Sequence, residues 1–101
     1  MSIEDFSIIY NYFEPSQQER QTVHSIISNI YYSGPSDAVV KAMITRHHGR
    51  YLCQLRVASS AMIEVVNFES DKLLRAVIGA RRIMNLKIQD WKSRRFENIA
   101  I

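Results

Sequence analysis

The fold is decided by residues 37–58, which read DAVVKAMITRHHGRYLCQLRVA. Apolar side chains recur at every second position in both halves of this stretch, at Val40, Ala42, Ile44, Cys53, Leu55 and Val57. Because successive side chains of a strand point to opposite faces, each half predicts a strand that buries one face. Between the halves, Gly49 supplies the positive φ that tight turns need. We therefore predict strands over 37–46 and 51–58, joined as a hairpin.

The segment before this hairpin predicts a strand and a helix. Residues 6–13 are rich in aromatic and β-branched side chains, which are typical of strands. Ser16 and Glu19 then have the spacing of a capping box, in which each side chain accepts from the other residue's backbone amide. An apolar stripe at helical spacing follows, and Gly34 ends the helix just before a proline.

The segment after the hairpin predicts one more strand, over 61–67, and a second helix over 71–95 that begins after Ser70. The connections between the last three strands are too short for parallel crossovers, so these strands form an antiparallel meander. The order β-α-β-β-β-α predicts an α+β fold, in which a four-stranded sheet carries two helices packed on one face.

Length and composition limit the class of protein. A chain of 101 residues suits one core, so we expect residues 1–101 to form a single domain. The hydrophobic content of 47% excludes a disordered tail, and the apolar runs are too short to span a membrane. The start of the chain lacks the pattern of a secretory signal. A lone cysteine, Cys53, fits a reducing compartment, and we expect a cytoplasmic protein.

Positive charge is concentrated in the second helix. The stretch from Lys72 to Arg95 carries a run of lysines and arginines and one acid, Asp90. Arg75 and Arg82 lie two turns apart, about 10 Å along one side of the helix. Such clusters suit the phosphates of RNA, although a solvated helix face is an equal alternative. The predicted RNA-binding residues are Lys72, Arg75, Arg82, Lys92, Arg94, Arg95, Arg46 and Arg50.

Other residues bear on this prediction less directly. We expect Gly79, between Arg75 and Arg82, to leave room for the close approach of an RNA backbone. The tyrosines are alternative base-stacking residues, although aromatic side chains on strands are more often part of a core. They are Tyr10, Tyr12, Tyr31, Tyr32 and Tyr51.

The sequence offers no catalytic or metal-binding pattern. His47 and His48 point to opposite sides of an extended chain, so they do not readily chelate one ion together, and His24 lies on a predicted helix. Cys53 lies on the buried face of its strand, where a thiol behaves as a small apolar group. We therefore expect no enzyme, no metal, no cofactor and no small-molecule substrate.

Several short motifs are similar to those of one known family. Phe13-Glu14-Pro15-Ser16 precedes the first helix, and Leu73-Leu74-Arg75-Ala76-Val77 opens the second. Met84 and Ile88 take later apolar positions, and Lys92, Arg94 and Arg95 form a basic helix end. Together with the order of elements, these motifs resemble the short form of the ribosome hibernation-promoting factor family over residues 5–95. This family is also known as ribosome-associated inhibitor or sigma-54 modulation proteins.

The resemblance implies a role on the ribosome. It implies binding to the small ribosomal subunit and its rRNA near the tRNA and mRNA sites, with inhibition of translation in resting cells as a stress response. The chain departs from the family pattern on the first helix, where Arg20 is the one cation, and at Ile78, which takes an acidic position.

Two other functions fit the same sequence. A protein–protein interaction domain, as a homodimer or with another protein, is favoured by Ile83 and Leu86, which project away from the predicted core face of the second helix. Its interface would be a sheet edge or the aromatic first strand. A reader of double-stranded RNA has the α-β-β-β-α order found over residues 16–95, but the lysine-rich helix start of that domain is missing.

Overall fold

The computed structural model describes the backbone of residues 6–99 and the side chains of residues 6–94. The predicted α+β order is confirmed. The elements are β1 (Phe6–Asn11), α1 (Gln17–Ser33), β2 (Val39–His47), β3 (Arg50–Ala58), β4 (Ile63–Ser70) and α2 (Leu73–Ile99). No helix in this described part is both long enough and apolar enough to cross a membrane.

The four strands form one mixed sheet in the order β1-β2-β3-β4. The predicted antiparallel meander of β2, β3 and β4 is confirmed by the pairing of adjacent strands. β1 pairs with β2 in parallel, with Phe6 beside Val40 and Asn11 beside Thr45. A parallel pair needs a crossover connection, and α1 provides it.

The core lies between one face of the sheet and the two helices. The inward strand positions are those that the alternation predicted, and Ile44, Cys53 and Leu55 have no exposed surface. The stripe of α1 around Val23 and the stripe of α2 around Met84 close this core from the other side. The prediction that both helices pack on one face is therefore confirmed.

Backbone conformation determines where the strands end. At the β2–β3 turn, His48 has φ 51° and Gly49 has φ 74°, and positive φ at both central residues is typical of a type I′ hairpin. Tyr12 also has a positive φ, of 68°. β1 therefore ends at Asn11 rather than at Phe13 as predicted, because a left-handed residue breaks the extended ladder. α2 continues past the predicted residue 95 to Ile99.

Both helices begin at the same end of the sheet. We call this the turn end, because it carries the β2–β3 turn at His48 and Gly49. β1 and β2 finish there together, since Asn11 pairs with Thr45. β4 also finishes there, since Ser70 pairs with Tyr51 at the start of β3. α1 and α2 each follow a strand that finishes at the turn end.

Candidate nucleic-acid interface

Most of the predicted phosphate-binding residues lie at or near the turn end. Arg46 and Arg50 flank the hairpin turn, Lys72 directly precedes α2, and Arg75 and Arg82 lie on its first turns. All of these side chains are exposed. Residues distant in sequence, on β2, β3 and α2, therefore share one region of the surface.

A shallow pocket between β4 and α2 brings three of these arginines together. Arg50, Arg75 and Arg82 line it together with two acids, Glu69 and Asp71, and the ring of Phe68 lies between the two elements. Arg50 is held from the sheet side, where its Nε donates to Oε1 of Glu69 at 2.7 Å. Within residues 6–94, Arg75 and Arg82 form no ion pair, so their charges are available to a phosphate.

Both helices begin at this end, and a serine side chain caps each start. The N-terminus of a helix carries a partial positive charge because its first amides have no partner within the helix. In α1, Ser16 Oγ accepts from the Glu19 amide at 3.1 Å, and Glu19 Oε1 accepts from the Ser16 amide at 2.8 Å, which confirms the predicted capping box. At the start of α2, Ser70 Oγ accepts from the Lys72 amide at 3.4 Å.

A row of rings fixes the hairpin arginine Arg46. Its guanidinium carbon lies 5.7 Å from the centroid of Tyr51, and Tyr51 packs edge-on against Phe13 at 5.2 Å. Phe13 in turn contacts Tyr10, over which Arg20 lies at 5.0 Å. Because these rings pack against the core, they hold arginines in place and are not free platforms for bases.

The tyrosines divide between core and surface. Burial raises the pKa of Tyr10, although nearby Arg20 acts in the opposite direction, so its phenol is neutral at physiological pH. Tyr31 and Tyr51 are also half-buried against the core. Tyr12 and Tyr32 are exposed, at 87% and 76%, and only they have rings open enough to stack on a base.

The remaining predicted cations lie elsewhere. Lys92 and Arg94 are near the other end of α2, about 26 Å along the axis from Arg75. Arg94 Nη2 is 2.8 Å from Asp90 Oδ2, one turn earlier on the same helix. The side chain of Arg95 lies outside the described residues. The predicted RNA-binding residues therefore divide into a turn-end group and a far-end group. The two groups are too far apart to bind the same few phosphates.

Gly79 does not play the role predicted for it. A Cβ at this position would overlap the ring of Phe68 on β4. The space beside Gly79 is already filled by Phe68, so it offers no approach to an RNA backbone. Ile83 also differs from the prediction, because it packs against the core, whereas Leu86 is 63% exposed as expected.

The histidines and the cysteine lie in ordinary surroundings. Because His48 adopts a left-handed turn conformation, the rings of His47 and His48 meet with centroids 3.9 Å apart, and they do not point to opposite sides. Within the described residues, no group of three or more His, Cys, Asp or Glu side chains is arranged to hold a metal ion. Burial raises the pKa of Cys53 to about 12, so this thiol is a poor nucleophile.

Solved structures with the same architecture are known. The chain is similar to the Protein Y N-terminal domain of Thermus thermophilus, with a TM-score of 0.73 and 11% identity over 85% of this chain and 97% of that one. It is also similar to a ribosomal subunit interface protein of Coxiella burnetii, with a TM-score of 0.72 and 10% identity over 87% of this chain and 97% of that one. This chain has their fold.

Both proteins are members of the hibernation-promoting factor family, so the resemblance predicted from the short motifs is confirmed at the level of the fold. No family model matches the sequence, and no curated protein matches it. At about one identical residue in ten, this likeness is one of fold and not of sequence.

Proposed function

We propose that this protein is a cytoplasmic, ribosome-associated factor that binds rRNA of the small subunit through its turn end. Bound in the decoding region, the domain would exclude tRNA and mRNA by its bulk and inhibit translation in resting cells. The mechanism is steric and needs no catalytic group, cofactor or small-molecule substrate.

The observation that carries this proposal is the position of Arg75 and Arg82. Both are exposed, neither forms an ion pair within residues 6–94, and both line one pocket with Arg50. Two solved structures with the same fold support the ribosomal assignment, since one of them is described as a ribosomal subunit interface protein. Phosphate contacts need clustered cations in a fixed place more than they need exact side-chain geometry.

The test is cosedimentation of the purified protein with bacterial ribosomes on sucrose gradients. We expect stoichiometric migration with the small subunit or the whole ribosome, and release as the salt concentration rises. The variant Arg75→Glu/Arg82→Glu should remain at the top of the gradient. Replacing both arginines by glutamine should reduce the slope of log affinity against log salt by about 2, one for each lost phosphate contact.

The matched control is Lys41→Glu/Arg56→Glu. These two side chains are exposed on the strands, at outward positions, and their reversal changes the net charge by the same amount. We expect this variant to cosediment like the wild type. Equal loss in both variants would show only a general effect of net charge, and retained cosedimentation of the Arg75/Arg82 variant would exclude the proposed site.

The far-end cations stay a prediction. If Lys92 and Arg94 also contact rRNA, the contact must lie about 26 Å from that of Arg75, on a different group of phosphates. The variant Lys92→Glu/Arg94→Glu should then weaken cosedimentation independently of the turn-end variant. A wild-type profile for this variant would restrict the interface to the turn end.

A further inference from the structure

The face of the sheet opposite the helices, which we call the open face, is unusually apolar. Ile9 and Met43, which share one row of the sheet, are 52% and 41% exposed, and Val65 on the next outward row is 55% exposed. Val39 and Ile63 extend the same surface with 40% and 64% exposure. When one face of a sheet packs on the core and the other contacts water, the side chains on the water face are normally polar. An apolar surface on that face therefore indicates a binding site.

Strand register makes these side chains neighbours. Ile9 lies beside Met43 on β2, and Met43 lies beside Gln54 on β3. One row away, Val65 on β4 lies beside Arg56, and Arg56 lies beside Lys41. A shallow pocket at the centre of the face is lined by these same residues. The exposed apolar side chains therefore come from β1, β2 and β4, and the two cations, Lys41 and Arg56, lie among them.

The two cations are placed against each other. Lys41 and Arg56 are direct cross-strand partners, and like charges in this position destabilise a sheet. Neither forms an ion pair within residues 6–94. Among the described strand positions of this face, the carboxylate is Glu69, and Arg50 already engages it at 2.7 Å. The centre of the open face thus combines apolar side chains with uncompensated positive charge.

We propose that the open face is a docking surface for an acidic, apolar segment of another protein. Its apolar side chains would cover Ile9, Met43 and Val65, and one or more carboxylates would pair with Lys41 and Arg56. This partner site is separate from the turn end, so it does not depend on the proposed ribosomal function.

Two other occupants fit the open face less well. A second copy of this chain, packed face to face, would bring its own Lys41 and Arg56 against the same two cations. The interface would then bury four positive charges with no acidic partner, which is unfavourable. Single-stranded RNA would need rings for base stacking, and none of the outward strand positions on this face holds Phe, Tyr or Trp. The experiment that tests the proposal also has results that would assign the face to either of these occupants.

The experiment selects peptides from a phage-displayed library of random sequences on the immobilised full chain. We expect enriched peptides that combine several large apolar residues with aspartate or glutamate. A representative synthetic peptide is then titrated by fluorescence anisotropy against the wild type and two variants. Lys41→Glu/Arg56→Glu and Ile9→Ser/Val65→Ser should each weaken binding by about tenfold or more.

The control for this experiment is Arg75→Glu/Arg82→Glu, which should bind the peptide as the wild type does. No enrichment, enriched peptides without acids, or unchanged affinity in the open-face variants would overturn the proposal.

A dimer in sedimentation equilibrium that Ile9→Ser/Val65→Ser dissociates would assign the face to a second copy. Binding of single-stranded RNA that Lys41→Glu/Arg56→Glu abolishes would assign it to RNA. Circular dichroism establishes that each variant is folded.

Discussion

At the scale of single residues, Gly79 sets how closely α2 approaches the sheet. Any side chain there would overlap the ring of Phe68, which packs against the core from β4. Glycine inside a helix normally costs about 0.5–1 kcal/mol relative to alanine. The chain accepts that cost because the ring fills the space and brings the basic side of α2 beside β4.

Gly79→Ala should therefore lower the free energy of unfolding, although the higher helix propensity of alanine alone would raise it. We expect a loss of about 1–2 kcal/mol, because an extra carbon in a filled site forces its neighbours to shift. Urea denaturation followed by circular dichroism measures it. In a Phe68→Ala background the same substitution should raise stability by about 0.5–1 kcal/mol. Stabilisation by Gly79→Ala alone would contradict this packing.

Cys53 should resist thiol reagents in the native protein. Since burial raises its pKa to about 12, far less than one thiol in a thousand is ionised at pH 8, and only the thiolate reacts. We expect very slow labelling by a chromogenic disulfide reagent at pH 8 and faster labelling at higher pH. The same chain in denaturant should react completely within minutes. Rapid labelling of the folded protein at pH 8 would show that the strand opens.

At the scale of elements, the β2–β3 turn places Arg46 and Arg50. Both central residues have positive φ, which glycine adopts freely and a residue with a Cβ adopts at a cost. In the pair His48-Gly49, the second residue adopts a positive φ freely, whereas the first has a Cβ and adopts it at a cost. The turn therefore forms, but a different residue at position 48 could stabilise it.

Substitutions at the two turn positions should have different effects on stability. Gly49→Ala should lower the free energy of unfolding by about 1–2 kcal/mol, because it places a Cβ at a φ of 74°. His48→Asn should leave it unchanged or raise it by several tenths of a kcal/mol, because Asn-Gly suits a type I′ turn. Thermal denaturation of both variants measures the difference. Equal effects would contradict the observed backbone conformation.

The elements themselves were largely predictable from the sequence. Alternation identified the buried faces of β2 and β3, and the capping box placed the start of α1, because these signals depend on neighbouring residues. The end of β1 was not predictable, since the left-handed Tyr12 has no glycine to mark it. The contact of Gly79 with Phe68 was missed for a related reason: it joins two elements, and spacing along one helix cannot show what faces it.

At the scale of the whole molecule, the positive charge divides among the turn end, the far end of α2 and the open face. The turn-end cations come from β2, β3 and the start of α2, whereas the open-face cations Lys41 and Arg56 come from β2 and β3. Because β2 and β3 contribute to both of these surfaces, only the assembled sheet separates the two groups. Lys92 and Arg94 were predicted to act with Arg75 because they share a helix. Lys87 is 3.4 Å from Glu64, and this ion pair joins α2 to β4, so spacing along one helix does not reveal it.

Hydrogen exchange should show unequal stability of the two edge strands. β1 is held by one parallel ladder of six residues, whereas β4 has an eight-residue antiparallel ladder and packs against α2. We expect amides of β1 to exchange faster than those of β4, and the central strands to exchange most slowly. Native-state exchange followed by NMR measures this. Equal protection of β1 and β4 would indicate that the sheet opens as a unit.

The parallel pairing of β1 with β2 also affects how the protein is made. Phe6–Asn11 leaves the ribosome before its pairing partner Val39–His47, which follows only after the whole of α1. At a synthesis rate of about 5–20 residues per second, the first strand waits for roughly two to seven seconds without a partner. Its aromatic side chains are exposed to the cytosol during that interval. The newly made chain would therefore depend on a chaperone, or on rapid translation, more than a protein whose first two strands form a hairpin.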